Sequence, residues 1–397
     1  METIEAIKKC TPCFIIDETL LDQNLSVFMK ALQDHWNHYI FGYSVKTNSL
    51  PYILNHVRQA GCYAEVVSDT EYHLAQASGF SPDHIIFNGL IKSREQFFYA
   101  IEHKSIINID SAREIEWLKE ASELGMKAEI GMRVCFDLAS LCPDESTRDS
   151  FSNHFGFCVE NGRFKDAFDQ ISQLDGITIA GLHMHTNLKA RSMNAFRELA
   201  KKACQLAEEY QLNLKYVDIG GSFFMNKEDY HVPAQYIQTI TEQLRHTFNP
   251  EETALIIEPG AAIISTPIQY MTRVIDVKDT YRDHFVITDG GRLHIDPFMR
   301  KTQYIYELFT SSESVCKQQV ICGFSCMDSD RIIVLNNEPT LSIDDYILYN
   351  SVGSYTMCFN SLFIEYFPPV YVKRGEHYEI VREKWDIAEY MQKQIIK

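Results

Sequence analysis

Tyr43-Ser44-Val45-Lys46-Thr47-Asn48-Ser49 ends an apolar run on a lysine and turns polar before Pro51. A lysine at the exit of a buried strand is desolvated, which lowers its pKa and leaves a neutral amine able to attack a carbonyl. That is what a Schiff-base lysine requires. Taken alone, Lys46 is better explained as a lysine that snorkels out of a strand end. The runs on either side of it change the odds.

Apolar, β-rich runs recur at 38–45, 62–67, 84–88, 105–109, 128–134, 177–184, 214–219 and 254–258, and most segments between them carry apolar residues at helical spacing. Helix starts read as capping boxes at Ser68–Glu71, Ser93–Gln96 and Ser111–Glu114, with Gly79 and Gly125 as stops for the first and third helices. Between the sixth and seventh runs, Phe196, Leu199, Ala200, Ala203, Leu206, Ala207 and Tyr210 form one apolar stripe. Eight such units in this length predict a (β/α)8 barrel, an α/β fold of the TIM type, rather than an open sheet. Beyond Gly260 helical spacing largely gives way to short β-rich runs at 268–277, 284–288, 318–322, 331–335, 346–350, 370–372 and 377–381. The predicted division is a barrel over 20–262 and a mostly β domain over 263–397, joined by 1–19, in which Cys13-Phe14-Ile15-Ile16 reads as a strand.

The 397 residues, 45% of them hydrophobic, can fill both cores. A net charge of −17 argues against nucleic acid or an anionic membrane as partner and is compatible with a cationic substrate. The opening METIEAIKKC lacks the apolar stretch of a signal peptide and no run is long enough to span a bilayer, so a cytoplasmic location is expected. Eleven scattered cysteines fit reduced thiols. Cys10-Thr11-Pro12-Cys13 has redox-motif spacing without the following helix signature, and reads as coincidence.

A barrel places its chemistry at the carboxyl ends of its strands. Those ends carry Lys46, Glu65, Asn88, Asp110, Arg133, His185, Gly220-Gly221 and Glu258, a polar ring that packing does not explain. The glycine pair offers backbone amides to a phosphate, although strand-to-helix turns use glycine routinely. Glu258 could hold a pyridine nitrogen protonated, or simply cap a turn. His183-Met184-His185 puts two imidazoles on one strand face, which leaves a metal-dependent barrel hydrolase as an alternative, but no third and fourth ligand follows at metal-site spacing.

The chain resembles the fold-type III pyridoxal-phosphate decarboxylases, the family of ornithine and diaminopimelate decarboxylases. Matching segments are Tyr43 to Ser49, Gly61 to Glu71, Ile109-Asp110-Ser111, Gly181 to His185, Asp218 to Gly221, Glu258-Pro259-Gly260, Cys326 with Asp330, and Gly353-Ser354-Tyr355, spread from Thr11-Pro12 to about Phe363. The resemblance implies a barrel with a C-terminal β domain, pyridoxal 5'-phosphate as cofactor and loss of the α-carboxylate of an amino acid or amino-acid-derived metabolite. It implies Lys46 as the Schiff-base lysine, His185 stacked on the cofactor ring and Glu258 facing the ring nitrogen, where racemases of the alanine type have arginine. It further implies a cofactor site formed with Glu65, Arg133, Gly220, Gly221, Ser222, Gly260 and Tyr355. Cys326 is implied to protonate the decarboxylated carbon from the partner protomer of a homodimer with shared active sites. A non-catalytic homologue would be expected to lack Lys46 or Cys326.

The departures bear on phosphate and substrate. Asn187-Leu188 replace the usual Gly-Ser after the histidine, Ala261 replaces the arginine after Glu-Pro-Gly, and Ser222 replaces a third glycine. Met327 follows the catalytic cysteine where members that grip a distal amine have an acid, and Asp296-Pro297 stand where diaminopimelate decarboxylases have Arg-Pro. A thioether cannot pair a buried ammonium, and an aspartate repels a carboxylate. With Asp296, Met327, Asp330 and Phe363 as substrate-binding candidates, the expected substrate is a larger amine or amide-linked amino acid, of carboxynorspermidine, antibiotic or siderophore type. Lysine, ornithine or diaminopimelate decarboxylation proper is the alternative.

Overall fold

The computed structural model describes residues 4–143, 153–186, 192–225, 231–359 and 361–396. The chain forms two compact units, Asn24–Ala262 and, together, Met1–Gln23 with Ile263–Lys397.

The first unit is a closed parallel barrel. Its strands in chain order are Tyr39–Ser44, Tyr63–Val66, Ile85–Phe87, Ile106–Ile109, Ala128–Cys135, Ile177–His183, Tyr216–Asp218 and Ala254–Ile257. Each pairs with its sequence neighbours, the eighth closes onto the first, and Leu255, Ile256 and Ile257 lie opposite Tyr39, Ile40 and Phe41. Strands such as Ile85–Phe87 and Ala254–Ile257 are buried at every position, which is why they read as continuous apolar runs rather than as alternation. The helix Met193–Glu209 buries Ala195, Phe196, Leu199, Ala200, Ala203, Leu206 and Ala207 along one stripe.

The helix starts differ in detail from the predicted boxes. Ser111 and Glu114 form the full reciprocal box. Ser68 accepts the Glu71 amide, but the Glu71 carboxylate takes the amide of Val67, one residue further back. Ser93 accepts the Gln96 amide, while its own amide goes to the Asp69 carboxylate. A charged acceptor displaces the neutral glutamine there. Gly79 and Gly125 follow their helices at φ +97° and +71°.

The second unit is built on a nine-stranded sheet. Its main path runs Arg331–Pro339, Val315–Cys322, His284–Thr288, Ile268–Asp279, Cys13–Asp17, Val370–Arg374, His377–Arg382. Tyr346–Asn350 pairs with both Ile268–Asp279 and Ile305–Phe309. The strand Ile305–Phe309 was not among the predicted runs, because it is exposed or half-buried at every position and lacks a solid apolar signature. Cys13–Asp17 lies between Ile268–Asp279, antiparallel, and Val370–Arg374, parallel. Ile7, Cys13, Ile15, Met271, Leu348, Tyr371 and Tyr378 form a core cluster there. The Cys10 thiol donates to the Ala6 carbonyl while Cys13 is buried in the strand, an arrangement of separate packing roles. Among the described residues no helix is long and apolar enough to cross a membrane.

His294, in the turn Arg292–Ile295, is buried with its Nδ1 against the Tyr270 hydroxyl. Burial pushes its pKa down from 6.5 to about 4. Because the folded value is the lower one, its contribution to stability is complete above pH 6.5 and is lost as pH falls towards about 4, where the unfolded chain alone takes up the proton. Urea unfolding at about pH 7 and about pH 5 should therefore show a steeper loss of stability in the wild type than in His294→Asn. Equal slopes would remove His294 from the acid response.

Candidate active site

The carboxyl ends of the barrel strands converge on one network of buried polar groups. Lys46 sits in the helical turn Val45–Thr47 that continues the first strand, and its Nζ donates to Glu65 Oε2 at 2.9 Å. The same oxygen accepts from the Ser44 hydroxyl at 2.5 Å. Asn88, beyond the third strand, donates through Nδ2 to Glu65 Oε1 at 3.1 Å and to Glu258 Oε1 at 2.7 Å. Asn108, within the fourth strand, donates to Asn88 Oδ1 at 2.9 Å and to Asp218 Oδ2 at 3.0 Å, and its own oxygen accepts from the Tyr216 hydroxyl. Lys46, Glu65, Asn88 and Glu258 are thus joined by consecutive hydrogen bonds across four strands.

Lys46 departs from the sequence expectation in one respect. Its side chain is 39% exposed and ion-paired to a carboxylate that is 1% exposed, so the amine is held by a charge partner rather than stripped of solvent. The turn ends at Asn48, and Gly260 packs against it so closely that a Cβ there would lie 2.0 Å from Thr47 Oγ1. Gly260 therefore serves the approach of the Glu258 turn to the Lys46 turn.

Glu258 and Asp218 are buried side by side with His183, and one ligand atom from each lies within 4.8 Å of the others. Burial, then the Glu258 charge, lifts the Asp218 pKa far above the carboxylate range. Burial raises Glu258 as well, opposed by the Lys46 charge and by hydrogen bonds from Asp218 and Asn88. The hydrogen bond between the two acids raises Asp218 and lowers Glu258, so of the pair Asp218 is pushed further towards protonation. His183 Nε2 is 3.6 Å from Glu258 Oε2, and burial, then the Arg133 charge, holds the imidazole neutral. This three-residue cluster was not visible as spacing, because its members come from three different strands. His183 and His185 do not converge on a common ion: their rings are stacked, 6.1 Å apart at 20°.

His185 is also kept neutral, by desolvation first and by the Arg133 charge second. Its Nδ1 accepts the Gly221 amide at 3.1 Å, and Gly220, at φ +73°, leaves room for it, since a Cβ there would lie 2.4 Å from His185 Cβ. The Gly220 amide goes to Asp218 Oδ1 at 2.8 Å. Both glycine amides are thus engaged within the chain. Ser222, at φ +67°, donates its hydroxyl to the Thr186 carbonyl, and its amide has no partner among the described residues. Asn187 and Leu188 lie outside the described residues, and Ala261 opens the short helix Ala261–Ile264.

Arg133 is fixed by Asp110 at 2.9 Å and lies over the Phe155 ring. Asp110 also accepts the Gly156 amide. Behind them Lys92 and Glu114 form an ion pair at 2.8 Å, both almost fully buried, and Lys92 donates to the carbonyls of Gly89 and Asn108. Asn108, Lys92 and Glu114 were not singled out as site residues. An amide inside the run Ile106-Ile107-Asn108-Ile109 was the available signal.

The remaining candidates belong to the β unit. Cys326 is exposed and Met327 half-buried. Tyr355, at φ +56°, is 37% exposed, with its ring edge-on to Phe298, and Phe298 stacks on Phe359. Phe363 is exposed. Asp296 and Asp330 are buried and hydrogen-bonded within the chain rather than open acids. Asp296 accepts from Arg292 Nε and Nη2 and from the amides of Arg300 and Lys301. Asp330 accepts the Arg292 amide and both the amide and hydroxyl of Ser325. Each is about 3% exposed and organises its own loop.

Residues 21–265 match the family model "Pyridoxal-dependent decarboxylase, pyridoxal binding domain". Diaminopimelate decarboxylase of Aquifex aeolicus is 24% identical over 88% of this chain and 83% of its own length. The enzyme of that name from Archaeoglobus fulgidus is 24% identical over 97% and 93%. Among solved structures, diaminopimelate decarboxylase from M. jannaschii in complex with L-lysine aligns at a TM-score of 0.87 with 22% identity, over 99% of this chain and 94% of that one. Arginine decarboxylase of Paramecium bursaria Chlorella virus aligns at 0.76 with 18% identity, over 93% and 99%.

Asn88→Leu removes the donor shared by Glu65 and Glu258 and leaves two buried carboxylate oxygens short of a partner. It should cost about 2–4 kcal/mol of stability in denaturant unfolding. A loss below about 1 kcal/mol would show that the two acids do not depend on this amide.

Proposed function

The chain belongs to the pyridoxal-dependent decarboxylases, and on that basis we propose that it binds pyridoxal phosphate at Lys46 and removes the α-carboxylate of an amino acid or amino-acid-derived metabolite. One observation carries the reading. Of the five carboxylates buried around the strand ends, Glu65 pairs with Lys46, Asp110 with Arg133 and Glu114 with Lys92, and Asp218 is pushed towards protonation by burial and by Glu258. Glu258 is left beside a neutral histidine, with no lysine or arginine paired to it among the described residues. A buried carboxylate in that state is complementary to a cationic ring nitrogen. The amine of Lys46 stands at the other end of the same hydrogen-bonded chain, two linking residues away. The residues present therefore fit the cofactor.

When bound, the cofactor supplies an electron sink for the pair of electrons left by departing carbon dioxide. The chain supplies the rest. Lys46 presents a primary amine to the carbonyl, with Glu65 orienting it and able to relay its proton. Glu258, oriented by Asp218 and Asn88, would stabilise positive charge on the ring nitrogen. His185, neutral and backed by Gly220, offers a flat face for stacking. For the phosphate, Ser222, Gly221, Arg133 and Tyr355 are the proposed partners. Two glycine amides already engaged within the chain mean that Gly221 would exchange His185 for the phosphate, or that Ser222 carries the larger share.

The active unit is proposed to be a homodimer in which Cys326 of one protomer serves the site of the other. The exposure of Cys326 and the exposed aromatic group Phe298, Phe359 and Tyr355 on the β unit support it, since a patch of that kind is commonly covered by a partner. The substrate is a small amino-acid-like molecule, and the site of action is the cytosol. Met327 in place of an acid disfavours lysine and ornithine. The Asp296 charge is spent on Arg292, so it gives no ground for excluding a distal carboxylate. Diaminopimelate is accordingly retained as the second reading, favoured by the named relatives.

Mixing inactive Lys46→Ala and Cys326→Ala chains under conditions of demonstrated subunit exchange should restore about a quarter of wild-type activity, because half the dimers are mixed and each has one intact site. A dead mixture would mean that Cys326 does not act in trans. In a panel of amino acids and carboxylated polyamines followed by carbon dioxide release, lysine and ornithine should show kcat/KM at least about a hundredfold below the best substrate, about 3 kcal/mol of lost transition-state stabilisation. Diaminopimelate as the best substrate selects the second reading, and no release from any member of the panel contradicts both.

A further inference from the structure

A cavity of about 630 Å3 lies at the amino-terminal mouth of the barrel, between the starts of the fourth, fifth, sixth and seventh strands and at the opposite end of those strands from Lys46 and Glu258. Apolar residues among those that line it are Ile106, Ile107, Ala128, Ile177 and Ala180. Its inner end is Tyr216. That ring passes across the barrel axis where Gly181 leaves it space: a Cβ on Gly181 would lie 2.1 Å from the tyrosine ring. The Tyr216 hydroxyl points away into the polar layer, to Asn108 at 2.9 Å. Tyr216 thus separates the cavity from the network around Glu258, and the cavity is a second compartment rather than an extension of the first.

The rim is cationic on an otherwise acidic protein. Lys104, Lys127 and Lys215 line it, against the single acid Glu129. Glu129 is ion-paired to Lys215. Lys104 and Lys127 form no ion pair among the described residues, and they precede adjacent strands, the fourth and fifth, which pair through Ile107 and Ile130. Two uncompensated ammonium groups on neighbouring strand starts, above an isoleucine-lined wall in a chain of net charge −17, form a local field opposite to that of the molecule. Ile106, half-buried, remains partly in contact with water there. The volume falls within the range that holds small ligands, roughly 300–1,000 Å3.

We propose that this mouth is a binding site for a small organic anion with an apolar body. Its charged head lies between Lys104 and Lys127 and its body covers Ile106 and Ala180, which pack in one cluster with Tyr216. Burial of the body supplies affinity, and the lysine pair selects the charge.

The test is a fluorescence titration of the full chain with anilinonaphthalenesulfonate, an apolar body carrying one sulfonate, and with the uncharged analogue N-phenylnaphthylamine. Two variants are titrated beside the wild type: the double charge reversal Lys104→Glu/Lys127→Glu, and Thr178→Trp, which fills the rim from an exposed position. Both alter surface residues, and circular dichroism checks that each is folded. Expected is one saturable class of anion sites in the wild type, weakened at least about tenfold in the double variant and likewise in Thr178→Trp. Equal anion affinity in the wild type and in both variants would place the probe elsewhere and overturn the proposal. Equally tight binding of the uncharged analogue would overturn its anion specificity.

Discussion

Glu258 is the constraint on which the site depends. A carboxylate moved into a barrel interior costs several kcal/mol unless it finds a cation or a full set of donors. The chain meets that cost for Glu65, Glu114 and Asp110 with Lys46, Lys92 and Arg133, and Asp218 is pushed towards its neutral form. For Glu258 it provides Asn88 and stops short of a cation. That incomplete neutralisation is the feature that a protonated ring nitrogen would complete. His183 adds no charge to it, because burial and then the Arg133 charge disfavour the imidazolium.

The arrangement assigns a task to each layer of the barrel. The upper layer holds the titratable groups. Below it, Asn108 and Asn88 transmit orientation without carrying charge: Asn108 donates to Asp218 and to Asn88, and Asn88 donates to Glu258. Tyr216 closes that layer from beneath. Amides suit this position, since they bridge several carboxylates and do not titrate. The buried Lys92–Glu114 pair holds the backbone of the same layer through the carbonyls of Gly89 and Asn108 and through the Asp110 and Ser111 amides.

The barrel was legible in the sequence because strands buried on both faces must be apolar throughout, and because Ser68, Ser93 and Ser111 marked the helix starts between them. Lys46, Glu65, Arg133, His185 and Glu258 were legible as polar residues that interrupt apolar runs at one end. Three kinds of fact were not. Asn108 and Asp218 act through hydrogen bonds to other strands, and no linear spacing encodes such pairs. Asp296 and Asp330 looked like open acids, yet Arg292 and nearby backbone amides absorb them, a matter of loop conformation. Ile305–Phe309 gains its strand character from pairing with Tyr346–Asn350 rather than from its own pattern.

The most direct test of the account is to load the purified chain with pyridoxal phosphate, reduce it with borohydride and map the modified peptide. The account predicts a single pyridoxyl group on Lys46 of the wild type and none on the Lys46→Ala chain. A pyridoxyl group on another lysine, or none after loading, would contradict it.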